Sequence, residues 1–117
     1  MRAKTLLAGL VVTLVSCAGP QIHHSQLSIL DKGMSPEAVN ARFQQPPLSM
    51  HTGSVGGRSF DFHRFRMNNG LQTDLYLLAY ENNRLLYWGY VSEFRRSQDA
   101  DLNTALSSVL PQILTAK

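Results

Sequence analysis

The stretch Thr73-Asp74-Leu75-Tyr76-Leu77-Leu78-Ala79-Tyr80-Glu81-Asn82-Asn83-Arg84-Leu85-Leu86-Tyr87-Trp88-Gly89-Tyr90 decides the fold. Two apolar runs flank Glu81-Asn82-Asn83-Arg84, and asparagine tolerates the left-handed backbone of a tight turn, so the stretch predicts two strands, Thr73 to Tyr80 and Leu85 to Phe94, joined as a hairpin. Leu75, Leu77 and Ala79 alternate with Tyr76, Leu78 and Tyr80, and Leu85, Tyr87 and Val91 alternate with Leu86, Trp88 and Tyr90. A half-buried antiparallel sheet shows one polar face; apolar residues on both sides imply that both faces are covered.

Upstream, Arg58 to Met67 reads as a third strand, closed by the turn signal Asn68-Asn69-Gly70. Phe60, Phe62 and Phe65 break strict alternation, which predicts a bulge or a change of facing near His63 and Arg64. Leu48 to Gly57, with Gly53, Gly56 and Gly57, reads as a flexible loop. Two helices are expected before it. The first runs from Ser25 to Lys32 and stops at Gly33. The second has Ser35 as cap, Pro36 at its first position and Glu37 at the positive end of the dipole, puts Val39 and Phe43 on one face, and ends before Gln45-Pro46-Pro47. From Asp99 to Leu114, residues Leu102, Leu106, Val109, Leu110 and Ile113 fall at helical spacing, and Pro111 is expected to kink or end that helix.

The fold class is therefore α+β: two short N-terminal helices packed on a three-stranded antiparallel meander, plus a C-terminal amphipathic helix. The N-terminal helices cover one sheet face, and the C-terminal helix or a partner protein covers the other. Left uncovered, an aromatic face containing Tyr76, Trp88 and Tyr90 would be a partner surface.

The N-terminal region describes an address. Arg2 and Lys4 precede an apolar run from Leu6 to Val15 that ends at the small Ser16, the layout of an export signal over residues 1–16. The run is too short for a membrane span, which takes about 20 apolar residues. Cys17 is the single cysteine, so it pairs with another chain, stays free or is modified; its position at the edge of the apolar run favours modification. Residues 17–24 then read as a modified cysteine and short tether, and 25–117 as one domain. Without Arg2 and Lys4, the eleven Lys and Arg of the chain become nine, against eight Asp and Glu, so the basic balance is a leader effect and argues against nucleic acid binding.

Leu14-Val15-Ser16-Cys17 resembles the lipobox of bacterial lipoproteins, in which the cysteine takes a diacylglyceryl thioether and an N-acyl chain such as palmitate. With Ala18 in place of an aspartate, that resemblance implies anchoring at the periplasmic face of the outer membrane. Lys32-Gly33-Met34-Ser35-Pro36-Glu37-Ala38-Val39 is similar to the signature of the SmpA/OmlA (BamE/OsmE-like) lipoprotein family, and Tyr80 to Tyr90 is similar to its closing hairpin. The likeness spans most of residues 27 to 94. It implies a protein-docking lipoprotein of the cell envelope, accessory to outer-membrane protein assembly, with the barrel-assembly machinery as partner. The alternative is an envelope-stress, cell-wall-associated or inhibitor-like binding module. One departure stands out: the family commonly has Gly-x-Pro after the second helix, and here Gln44-Gln45-Pro46 has no glycine. Either that helix ends differently or Gln44 takes the left-handed position.

Chemistry-bearing patterns are sparse. His23, His24, His51 and His63 form no i, i+4 pair on an expected helix, and no nucleophile elbow or phosphate-binding glycine run appears. The expectation is a chain with no enzyme activity, metal or cofactor. Arg58, Arg64, Arg66, Arg95 and Arg96 are either charged edge residues that block strand pairing or, for Arg64, Arg66, Arg95 and Arg96, contacts to lipid phosphates or an acidic partner.

Overall fold

The computed structural model describes residues 21–68, 70 and 73–116. The leader, Cys17 and the start of the tether lie outside them. The strands are β1 (Ile22–His23), β2 (Ser49–Val55), β3 (Arg58–Asn68), β4 (Thr73–Glu81) and β5 (Arg84–Tyr90), and the α-helices are α1 (Pro36–Phe43) and α2 (Ala100–Thr115). Strands β2 to β5 form an antiparallel meander. The parallel β1 extends the β2 side of the sheet, pairing Ile22 with Met67 where β2 has already left β3.

Both faces of the sheet are covered. On one, Phe65, Met67, Tyr76, Leu78, Tyr80 and Leu85 pack against Ile22, Leu30, Val39 and Phe43 from the N-terminal segments. On the other, Phe60, Phe62, Leu77 and Ala79 meet Phe94 and the α2 residues Leu102, Ala105, Leu106, Val109 and Ile113. Burying each large apolar side chain contributes roughly 1.5–3 kcal/mol, so two such layers stabilise a small domain that one layer would leave marginal. The C-terminal helix, and not a partner, therefore covers the second face.

Several expectations are corrected. The first helix is a 3₁₀ helix, His24–Ile29, after a strand that takes up Ile22 and His23. It closes when the Leu30 backbone turns extended, which drops the Leu30 side chain into the core. The meander has four strands and not three, because Ser49–Val55 pairs with β3 along its whole length. Gly56 and Gly57, at φ 57° and 81°, make the tight two-residue turn between β2 and β3, and Asn82 and Asn83, at φ 53° and 60°, make its counterpart between β4 and β5. Strand β3 carries no bulge. Phe60 and Phe62 face α2 while Phe65 and Met67 face α1, so regular alternation serves two cores. The irregularity lies one hairpin later, where Ala79 pairs with Tyr87 and Tyr80 with Leu85, leaving Leu86 as the extra residue.

Strand β5 stops at Tyr90, short of the expected Phe94. The Tyr90 N–H donates to Glu93 Oε1 at 2.8 Å, and the chain turns into a 3₁₀ helix, Val91–Arg96, that places Phe94 edge-on to Tyr87 with centroids 4.9 Å apart. Helix α2 runs through Pro111 to Thr115. Pro111 and Ser107, whose carbonyl loses its amide partner, are both exposed residues, so the proline interrupts the helix on its solvent side while Val109 and Ile113 hold the buried stripe. Helix α1 is as expected, with Ser35 Oγ accepting from the Ala38 N–H at 3.1 Å. Gln44 takes the left-handed cap at φ 60°, the second of the two alternatives for a glycine-less end.

Candidate functional site

The residues singled out from the sequence fall in separate places. Tyr76, Trp88 and Tyr90 lie on the α1 side of β4 and β5. Tyr76 is only 4% exposed, with its ring edge-on to Tyr90 at 5.0 Å, and its burial pushes the phenol pKa up. Trp88 and Tyr90 are half-buried against the N-terminal segment. What remains accessible of this trio is the outer part of Trp88 and Tyr90 along the edge strand.

The arginines divide into two groups because β4 separates β3 from β5. Arg64 and Arg66, two residues apart on β3, point to the α2 side. With Gln21, Leu48, Phe65, Asp74 and Leu75 they line a recess of about 410 Å³ next to the first described residue. Arg64 Nη1 donates to the Ala116 carbonyl at 2.6 Å, which ties the C-terminus of α2 to β3 and places a cation at the negative end of the helix dipole. Its guanidinium is thus partly committed to the fold. His51 sits on β2 with Nε2 2.9 Å from Ser49 Oγ; burial, and then the nearby Arg64 charge, lower its pKa. Arg95 lies on the 3₁₀ helix after β5 and lines, with Val91, Phe94, Asn103, Leu106 and Leu110, a mainly apolar recess of about 280 Å³ beside α2. Arg96 follows it on the same turn.

Arg58 serves neither group. Its guanidinium forks onto Glu81 at 2.8 Å through both Nε and Nη2, reaches Asp99 at 2.9–3.0 Å and Asp101 at 3.4 Å, and lies 4.7 Å from the centre of the Phe60 ring. Three carboxylates around one cation clamp the start of α2 to the far end of the sheet. The hydrogen bonds from Arg58 hold the pKa of both Glu81 and Asp99 below the usual carboxylate range. The acidic partners come from the end of β4 and from the cap and first turn of α2, 23 to 43 positions away in sequence, so the pairing is invisible in the linear chain.

Sequence reasoning missed a buried polar group beneath α1. His63 is 6% exposed, its ring lies 4.6 Å from that of Tyr80, and His63 Nδ1, Tyr80 Oη and Asn40 Oδ1 are buried without a hydrogen-bond partner among the described residues. Burial lowers the His63 pKa, against the opposing pull of Asp61 and Glu37. The one available signal was His63 in an alternating strand, at a position where regular pleating faces it inward with Phe65 and Met67.

Among the described residues no group of three metal-binding side chains comes together, and no helix is long and apolar enough to cross a membrane. The arrangement offers a polar recess beside Gln21 lined by two guanidinium groups and the Asp74 carboxylate, and a mainly apolar recess beside α2. Compared with protein-family models, curated proteins and solved structures, the chain matches none.

Proposed function

We propose that this chain is a membrane-anchored lipoprotein of SmpA/OmlA type at the periplasmic face of the outer membrane, acting without catalysis as a protein-docking module accessory to outer-membrane protein assembly. The observation that carries the reading is Leu14-Val15-Ser16-Cys17 at the end of the apolar leader, shortly before Ile22 locks into the sheet. Fully extended, the chain from Cys17 to Ile22 reaches only about 17 Å, so a lipid on Cys17 holds the domain close to the bilayer with its Arg64 and Arg66 end nearest. Acyl chains contribute roughly 0.8 kcal/mol per buried CH₂, and more than one chain makes the attachment lasting. The accessible parts of Trp88 and Tyr90 and the recess beside Arg95 are the surfaces left for a protein partner.

Detergent-phase partitioning of the full chain and of Cys17→Ser tests the anchor. The parent protein is expected in the detergent phase and the variant in the aqueous phase or held as precursor; equal partitioning would refute the anchor. Affinity capture of the lipidated protein from envelope membranes tests the role. Barrel-assembly components are expected among the captured proteins, and their absence with an intact, anchored domain would leave the envelope-stress, cell-wall or inhibitor-like module as the reading.

A further inference from the structure

Residues 35–47 form a strap across one sheet face. At its start the Gly33 N–H donates to the Leu85 carbonyl and the Leu85 N–H donates to the Met34 carbonyl, both at 2.8 Å, which pins the chain to the edge strand β5. At its end the Leu48 N–H donates to the Arg64 carbonyl at 2.8 Å, which pins it to β3. Between these points α1 crosses the sheet with only Val39 and Phe43 buried, Phe43 standing edge-on to Phe65 at 5.2 Å. Two apolar side chains hold a helix of two turns, and that helix is too short to persist without the surface beneath it.

The layer under the strap is imperfectly satisfied. Nδ1 of His63, the phenol oxygen of Tyr80 and Oδ1 of Asn40 are buried with no hydrogen-bond partner among the described residues. A buried polar atom without a partner disfavours the closed arrangement relative to one open to water. A proton on His63 worsens the imbalance, because both ring nitrogens become donors and a unit charge then sits in an apolar layer. The groups acting on His63 are Glu37 from α1, Asp61 from its own strand and Tyr80 from β4, while β2 presents the uncharged Met50 at its register position. Glu37 is exposed, and the Asp61 carboxylate already accepts a hydrogen bond from Thr52 Oγ1 at 2.7 Å, so neither neutralises a charge on the ring in full.

We propose that α1 is an acid-responsive strap: protonation of His63 releases α1 from the sheet while the Met34–Leu85 and Leu48–Arg64 anchors hold, uncovering the apolar layer of Phe65 and Tyr80. The device rests on the fold alone and is independent of the anchor on Cys17. The direction follows from proton binding. The open or unfolded chain takes up a proton as pH falls through the ordinary histidine value of 6.5, whereas the closed form, with its lowered pKa, does not; closure is therefore complete above that pH and weakens below it. His51 also has a lowered pKa, but it opposes Phe62 on β2 and belongs to the other face.

Backbone amide exchange on the full chain, corrected for the intrinsic pH dependence of exchange, reads the strap separately from the sheet. Between about pH 7.5 and about pH 5, the amides of Asn40 to Phe43 are expected to lose about tenfold or more of their protection while β3 and β4 keep theirs. His63→Phe is expected to abolish that loss, with His63→Gln serving the same comparison where the phenylalanine variant does not fold. Glu37→Gln removes an opposing charge and is expected to deepen the loss. The proposal is overturned by α1 protection that does not change with pH, by equal loss across α1, β3 and β4, by an unchanged pH response in both His63 variants, or by a shallower response in Glu37→Gln.

Discussion

At Gly53 a single missing carbon decides how close helix and sheet come. A Cβ built there would lie 2.8 Å from the Ala105 carbonyl oxygen and 3.2 Å from Val109 Cγ1, and the nearer atom is helix backbone that cannot rotate away. Gly53→Ala is therefore expected to lift α2 from β2 and destabilise the domain by about 1–3 kcal/mol, seen as a lower urea midpoint with an unchanged slope. An unchanged midpoint would show that α2 does not pack on β2 as described. The same glycine makes Leu48 to Gly57 read as a loop in the sequence, since glycine marks flexibility and close approach alike. At Gln44 the sequence left two endings open for a helix without a closing glycine, and the structure takes the left-handed cap there.

Among the elements, α2 depends on its two ends as well as its buried stripe. Asp99 caps it by accepting from the Leu102 N–H at 3.1 Å and also accepts from Arg58, so cap and clamp share one carboxylate. Because Glu81 and Asp99 have pKa values below their ordinary 4.5 and 3.8, their contribution to stability is fully present above those values and is lost as pH falls through the lowered ones. Arg58→Gln is expected to flatten the acid side of the stability profile below about pH 4.5, with little change in its shape at higher pH, as measured by urea unfolding across a pH series. An unaltered acid limb would mean that the clamp contributes nothing to folding. The elements also show where period and length mislead. A helix of six residues closes as 3₁₀, and a strand whose edge amide finds Glu93 turns before its apolar pattern ends.

For the molecule as a whole, the sheet separates two apolar layers that touch through it but share no side chains. Val39→Ala beneath α1 and Leu102→Ala beneath α2 are each expected to destabilise, by about 1–3 and about 2–5 kcal/mol, and their effects are expected to add within about 0.5 kcal/mol. A coupling well above that figure would mean that the layers respond as one packed unit. This division also explains the alternation of β3. Phe60 and Phe62 with one neighbour and Phe65 and Met67 with the other make an apparent break in pattern that is a regular strand between two cores.

The sequence by itself determined the two asparagine-turned strands, the capped start of α1, the buried stripe of α2 and the need to cover both sheet faces, because these depend on residues near one another in the chain and on the periods of 2 and 3.6. The tertiary structure alone decided that Ser49–Val55 is a strand, that α2 continues through Pro111, that Arg58 is shared by Glu81, Asp99 and Asp101, and that Arg64 and Arg95 lie in separate recesses. Each of those outcomes is set by a contact between distant segments. Burial against a facing element outweighs local propensity, and a charge finds its partner only once the strands are in register.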